Sequence, residues 1–330
     1  MKKTTLIILT FLLIAITAYA DEGKVENFNY VRVSSDGTGY TGGSEGQWDE
    51  GGIREIGNVL YDATESNDSR RYKALYTGKS LPLSGTNVYV GMVFSSTIED
   101  GKAWTKYSGN PVLSVASEDP YFVFNNGSYY MYYEDKVDDP FRDTNLATSN
   151  DGVIWTESGA NPILEPVNDT WESQDVSSPV VWIEDNAWYM LYEGRETDGQ
   201  QGSMGLATSI DGIVWNKYIG NPVMLPGEPG SWDDVGVIPD DIIKRNNMYY
   251  MFYHGLDSVF DTSDGGMAYS TDLINWTKWE ENPISGSPAD CMVFTSHNTN
   301  KDYILNIHLY EFIKSKITCK GVSLRKVTIK

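Results

Sequence analysis

Four clusters of acidic residues recur along this chain: Asp49 and Glu50, Glu118 and Asp119, Asp175, and Asp233, Asp234 and Asp240. Trp48, Trp171 and Trp232 stand beside three of them. Carboxylates that converge with aromatic faces suit a sugar. An indole offers a flat apolar surface to the C–H face of the ring, and carboxylates bind its hydroxyls. Two carboxyl groups on opposite sides of a glycosidic bond can act as acid and base. The plainer reading also has weight: an acidic protein places carboxylates in loops, and a Trp-Asp pair at a strand entry can be a turn.

Whether these residues can meet depends on the elements that carry them. The chain repeats itself, with "NLATSNDGVIWTESGANPIL" at 145–164, "GLATSIDGIVWNKYIGNPVM" at 205–224, "GMAYSTDLINWTKWEENPIS" at 266–285 and a looser copy at 91–113. Trp104, Trp155, Trp215 and Trp276 are separated by 51, 60 and 61 residues, and the Asn-Pro pairs at Asn110, Asn161, Asn221 and Asn282 keep the same gaps. A second landmark precedes each tryptophan: "RYKALYTG", "YYMYYED", "WYMLYEG" and "YYMFYHG". β-Branched and aromatic runs bounded by turn residues read as strands. Each period supplies four of them and no helical periodicity, the pattern of a β-propeller blade.

The expectation is an all-β, five-bladed β-propeller with four antiparallel strands per blade, forming a single domain over 21–330. The fifth period is degenerate, and "VENFNYVRVSS" at 25–35 is expected to close the ring by pairing with the last blade, which removes open sheet edges. The recurring motif is then mostly structural. Trp155, Trp215 and Trp276 are expected to pack between blades, and Asp151, Asp211 and Asp272 to accept turn hydrogen bonds. Chemistry is expected where the repeats diverge, at the inner strands around the central funnel.

Composition narrows the partners. The first residues read as a secretory leader: a basic "MKK", an apolar run and "AYA" at 18–20, with cleavage before Asp21. The expectation is an exported, periplasmic or extracellular monomer with no membrane anchor. With 46 acidic and 25 basic residues, losing Lys2 and Lys3 leaves 23 − 46 = −23. Such a surface repels phosphate backbones, which excludes nucleic acid and leaves carbohydrate as a compatible partner. Cys291 and Cys319 are too few for a disulfide scaffold and match no metal motif; a bridge and two free thiols remain open.

The "SEDPYFV" stretch at 117–123, the "WYMLYEG" and "YYMFYHG" strands and the "S.DG..W.....NPV" outer strands resemble the five-bladed propeller glycosidases, glycoside hydrolase families 43 and 32 and their relatives. The resemblance implies a secreted, inverting glycosidase with three acids on the inner strands of the first three blades. Asp49 matches the general base that activates water. Asp119, followed by Pro120, matches the residue that tunes the proton donor. In the third blade a glutamate is expected, and this chain has "QDVSSP", with Asp175 nearest. Glu193, at the end of the neighbouring strand, is the substitute donor. Glu118, Trp48, Trp171, Trp232, Asp240 and His254 are expected to bind substrate, His254 because it stands where other blades have Glu193 and Glu134. "EDP" is also similar to family 130, but Tyr121 replaces the arginine that follows it there, which disfavours phosphorolysis.

An inverting pair requires a separation of about 6.5–9.5 Å, and a retaining pair about 5 Å. No cofactor is expected. Calcium could use the acidic loop at 134–143, which lacks the EF-hand pattern. The departure in the third blade keeps a second reading open, a non-catalytic glycan-binding propeller. An interaction scaffold is a third, because fold alone does not fix function.

Overall fold

The computed structural model describes residues 29–32, 42–44, 46–80, 88–97, 104–135, 141–196, 202–258, 263–284, 292–295, 302–312 and 317–328. For 29–32 and from 293 onward it describes the backbone alone. The leader, Cys291 and His297 lie outside the described residues, as do the side chains of Cys319 and His308.

The described residues form strands and one short 3-10 turn, Asp68–Arg70. After β1 (Asn29–Arg32), one antiparallel sheet holds β2 (Ile53–Tyr61), β3 (Tyr72–Lys79), β4 (Val88–Ser95) and β5 (Thr105–Lys106). The next holds β6 (Ser117–Asn125), β7 (Ser128–Asp135), β8 (Thr144–Ser149) and β9 (Thr156–Glu157). The third holds β10 (Asp175–Glu184), β11 (Ala187–Arg195), β12 (Ser203–Ser209) and β13 (Asn216–Lys217). The fourth holds β14 (Gly236–Arg245), β15 (Met248–Leu256), β16 (Ser263–Ser270) and β17 (Thr277–Lys278). These are propeller blades described to their side chains. A further four-stranded sheet, described by its backbone, orders β18 (Met292–Thr295), β19 (Asp302–Phe312), β20 (Ile317–Thr328) and β1, with Asn29 opposite Thr328 and Arg32 opposite Arg325.

The first strand of each sheet faces the centre. Contacts run from β2 to β6, β6 to β10, β10 to β14, β14 to β18 and β18 back to β2. Between the blades lie apolar faces built from the alternate residues of the strands, as a half-buried sheet requires. Trp215 of the third blade meets Tyr132 of the second edge to face, with ring centroids 5.8 Å apart. Trp155 packs in a cluster with Leu75 of the first blade, and Trp276 packs against the largest core cluster.

The repeated motif has the structural roles expected of it. Asp151 Oδ1 accepts the Val153 and Ile154 amides at 2.9 and 2.8 Å, and Asp211 and Asp272 repeat the turn. Each Asn-Pro asparagine pairs with the backbone of a residue within the third strand of its blade. Asn221 Oδ1 accepts the Leu206 amide at 2.9 Å, and its Nδ2 donates to the Leu206 carbonyl at 3.0 Å. Asn110, Asn161 and Asn282 make the same pair of bonds with Met92, Leu146 and Met267.

Candidate active site

The inner strands share an irregularity. Register breaks between Glu118 and Tyr121 in β6, between Ser177 and Val180 in β10, and between Pro239 and Asp241 in β14. These are β-bulges, which re-aim side chains and gather beside active sites. Asp119 and Ser178 occupy the same place in successive bulges. Each has φ of 48° and each precedes a proline. Left-handed backbone is costly for residues with a Cβ and persists where the surroundings enforce it.

The bulges surround a cavity of about 280 Å³ lined by residues of four blades. β2 contributes Arg54 and Glu55. The second blade adds Glu118, Asp119, Glu134 and Arg142, the third Ser178, Glu193 and Arg195, and the fourth Ile238, His254, Leu256 and Ser263. Prolines 120, 179 and 239 with Ile56, Val180 and Met292 line a smaller adjoining space that shares Asp119, Ser178, Ile238 and His254 with the cavity. Small-ligand sites run from about 300 Å³ upward, so the volume suits one small polar unit.

The carboxylates are organised by arginines. Arg54 pairs with Glu118 and, at 2.8 Å, with Glu55. Arg142 lies 3.4 Å from Glu134 and 3.2 Å from Asp175. Arg195 holds Glu193 Oε1 through Nε at 2.7 Å and Nη2 at 2.6 Å. His254 Nδ1 lies 2.6 Å from Asp240 Oδ1. Burial pushes the Glu134 carboxyl up to about 8, against the opposing Arg142 charge, with Glu55 and Glu193 adding to the rise. Deeper on the axis, the Tyr121 hydroxyl donates to Asp241 at 2.6 Å, and burial drives that phenol well above its ordinary range.

Of the residues singled out in the sequence, Glu118, Asp119, Glu193 and His254 are brought together in this cavity, and Asp240 stands behind His254. Asp175 is not among the lining residues. It is wholly buried at the start of β10, 3.2 Å from Arg142, which does line the cavity.

Asp49, Trp48, Trp171 and Trp232 are placed elsewhere, for one physical reason. Each Trp–acid pair belongs to a lock on the outer half of a blade. Asp49 accepts the Tyr76 hydroxyl at 3.0 Å and pairs with Lys106 of β5. In the third blade Glu172 takes Tyr192 and Lys217, each at 2.7 Å. In the fourth Asp233 takes Tyr253 at 3.2 Å and Lys278 at 2.6 Å. The neighbouring indoles lie on those tyrosines, with centroids 5.7, 6.0 and 5.3 Å apart. Gly78, Gly194 and Gly255 leave room for them.

The sequence does not single out Glu134, Glu55, Arg54, Arg142, Arg195 or Ser178 as site residues. One signal was available for the lock. The second blade has no Trp–acid pair, and there alone among the four periods Glu157 replaces the lysine of "WTK", "WNK" and "WTK", while Asp135 and Asn145 replace the glycines. Features that disappear together behave as one unit.

Among the described residues no group of His, Cys, Asp and Glu is arranged to hold a metal ion.

Residues 120–224 match the model of the Glycosyl hydrolases family 32 N-terminal domain. A levanase from Bacillus sp. (strain L7) is 28% identical over 193 residues, 52% of this chain and 19% of the levanase. A 1,2-beta-oligomannan phosphorylase from Thermoanaerobacter sp. (strain X514) is 28% identical over 144 residues, 41% of this chain and 45% of the phosphorylase. The chain thus spans less than half the length of either relative. Zg3597, a family 117 glycoside hydrolase produced by Zobellia galactanivorans, superposes with a TM-score of 0.64 at 14% identity, covering 92% of this chain and 91% of that one. The fold is that of the propeller glycosidases, as the sequence resemblance implied.

Proposed function

We propose that this chain is an exported glycoside hydrolase that cleaves a glycosidic bond of an oligo- or polysaccharide in the central cavity with inversion. The ring is read as five-bladed, with β1 completing the last blade. The observation that carries the proposal is the juxtaposition, in one cavity, of Asp119 on its left-handed bulge with Glu134 on the next strand. Asp119 is assigned as the base that activates water. Glu134, whose burial keeps it protonated to about pH 8, is assigned as the donor to the leaving oxygen. These roles replace those given to Asp49 and Asp175, which do not line the cavity. Glu55, Glu193 and His254 are assigned to sugar hydroxyls. Levan and β-1,2-mannan join arabinosides, xylosides and galactosides as candidate substrates, because the relatives act on or are named for the first two.

The test is release of sugar from aryl arabinosides, xylosides and galactosides, from levan and from β-1,2-oligomannan. Wild type is expected to cleave at least one with inverted anomeric configuration by NMR, and Asp119→Asn to lose that activity. Full activity in Asp119→Asn would sink the mechanism. One observation favours a second reading, a glycan-binding propeller without turnover: Ser178 stands where the third blade would carry its own acid. That reading predicts binding by calorimetry with no sugar released from any of the panel.

A further inference from the structure

Ser178 and Asp119 are counterparts. Glu118 opposite Glu134 and Ser177 opposite Glu193 mark equal positions in β6 and β10, and the next residue in each strand enters the bulge. The third blade therefore presents a hydroxyl where the second presents a carboxylate. That hydroxyl is directed across the blade boundary: Ser178 Oγ donates to Asp119 Oδ2 at 2.7 Å. From the other side, the first blade holds the Asp119 backbone. The Asp119 amide donates to Glu55 Oε2 at 3.3 Å and to Thr77 Oγ1 at 3.2 Å. Asp119 is thus gripped by main chain and side chain from opposite neighbours.

Each grip has a physical use. A left-handed Asp before proline needs outside support, and two acceptors on its amide supply it. A carboxylate on a bulge can still rotate about its own side-chain bonds. A short hydrogen bond from a buried hydroxyl, itself fixed by an equally unusual backbone, stops that rotation and aims the carboxylate. Ser178 is 7% exposed, so water does not compete freely for its hydroxyl.

We infer that Ser178 is a positioning residue, which acts through Asp119 by fixing the orientation of its carboxylate toward the cavity. The inference rests on the assignment of Asp119 above. It also gives the serine of the third blade a role: where the second blade presents an acid, the third presents the hydroxyl that holds it.

Three substitutions separate hydroxyl from backbone. Ser178→Gly accepts the left-handed backbone and removes the hydroxyl. Ser178→Asn tolerates the same backbone and restores a donor. Ser178→Ala removes the hydroxyl and keeps the Cβ strain that the serine already carries. On the aryl glycosides and glycans named above, Ser178→Gly is expected to lower kcat about 10- to 100-fold with KM within twofold, since misplacement of a reacting group costs on that order. Ser178→Asn is expected to recover most of it, and the melting temperature of Ser178→Gly to stay near wild type. Wild-type kcat in Ser178→Gly, with Asp119→Asn inactive, would overturn the inference and leave the glycosidase reading standing. Activity in Asp119→Asn would instead remove that reading. A crystal structure of Ser178→Gly reads the same point without turnover. A rotated Asp119 carboxylate is expected, and an unmoved one would overturn the inference.

Discussion

Lys217 Nζ lies 2.7 Å from Glu172 Oε1, while Glu172 Oε2 accepts the Tyr192 hydroxyl at 2.7 Å, so one carboxylate ties the outermost strand of its blade to the second strand. Asn221 continues the chain of bonds by donating to the same hydroxyl at 3.0 Å. A two-residue strand such as β13 has little sheet pairing of its own. The lock gives it a charged anchor and joins it to the Asn-Pro segment that leads to the next blade.

Removing one partner strands the other. Lys217→Met leaves the buried Glu172 without its cation and is expected to cost about 2 kcal/mol, seen as a lower midpoint in urea. Adding Glu172→Gln should recover part of that loss, because the second blade folds with neither group. Activity should not change in either variant. A single variant as stable as wild type would show that the lock does not anchor the strand.

The glycines beneath the indoles set a sharper test. A Cβ on Gly255 would stand 2.4 Å from Asp233 Cβ and 2.5 Å from Trp232 Cζ3. Gly255→Ala is therefore expected to destabilise by about 1–3 kcal/mol through overpacking. Gly159 is the control. A Cβ there meets nothing within 4 Å, and its substitution should stay within about 0.5 kcal/mol. Thermal or urea unfolding of the two variants separates the cases.

How much of this could be read from the sequence follows from what repeats carry. Period, strand count and turn chemistry are local, and "S.DG..W.....NPV" states them in each copy. The inner-strand bulges are not local. Whether Asp49 or Glu55 faces the axis depends on where the chain enters β2, and the sequence does not show that Trp48 lies against Tyr76. Asp119 is legible because the Asp-Pro pair it forms with Pro120 resembles a glycosidase motif. Ser178 also precedes a proline, and its role is hidden because only the folded ring brings it to Asp119. Arg142 and Arg195 sit at or beyond strand ends, where no motif distinguishes a cavity arginine from a surface one.

Lys73 is fully buried between the first two blades, 2.8 Å from Asp62 and 3.2 Å from Glu65. Burial pushes Asp62 up, but hydrogen bonds from Lys73, Thr64 and Tyr129 outweigh it and hold the carboxyl far below the usual carboxylate range. A folded-state value below the unfolded one contributes stability that is present above the unfolded value, about 3.9, and is lost as pH falls. Melting temperature should therefore drop between about pH 5 and 2, with a shallower slope in Asp62→Asn. Equal slopes would show that Asp62 is not the group responsible.

Glu134 predicts the opposite limb of the activity profile. A donor whose carboxyl is raised to about 8 by burial loses its proton above that pH, so kcat/KM should fall on the alkaline side. Glu134→Gln should lower kcat about 10²- to 10⁴-fold and abolish that limb. A retained alkaline limb in the variant would assign it to another group.

Two kinds of acid can be told apart by substitution. Asp49 and Asp119 are both acidic, both precede or enter an inner strand and both matched the glycosidase pattern in sequence. Their surroundings differ. Asp49 is held by Tyr76 and Lys106 in an outer pocket with Trp104 and Asn110, and Asp119 opens on the axial cavity. Asp49→Asn keeps the shape and an acceptor for Tyr76 and weakens only the bond to Lys106. It should lower the unfolding free energy by about 1–2 kcal/mol and leave kcat within twofold. Asp119→Asn should do the reverse, leaving stability nearly intact and removing turnover. Loss of turnover in Asp49→Asn, with a native melting temperature, would return the base to the outer acid and require a different path for the first strand.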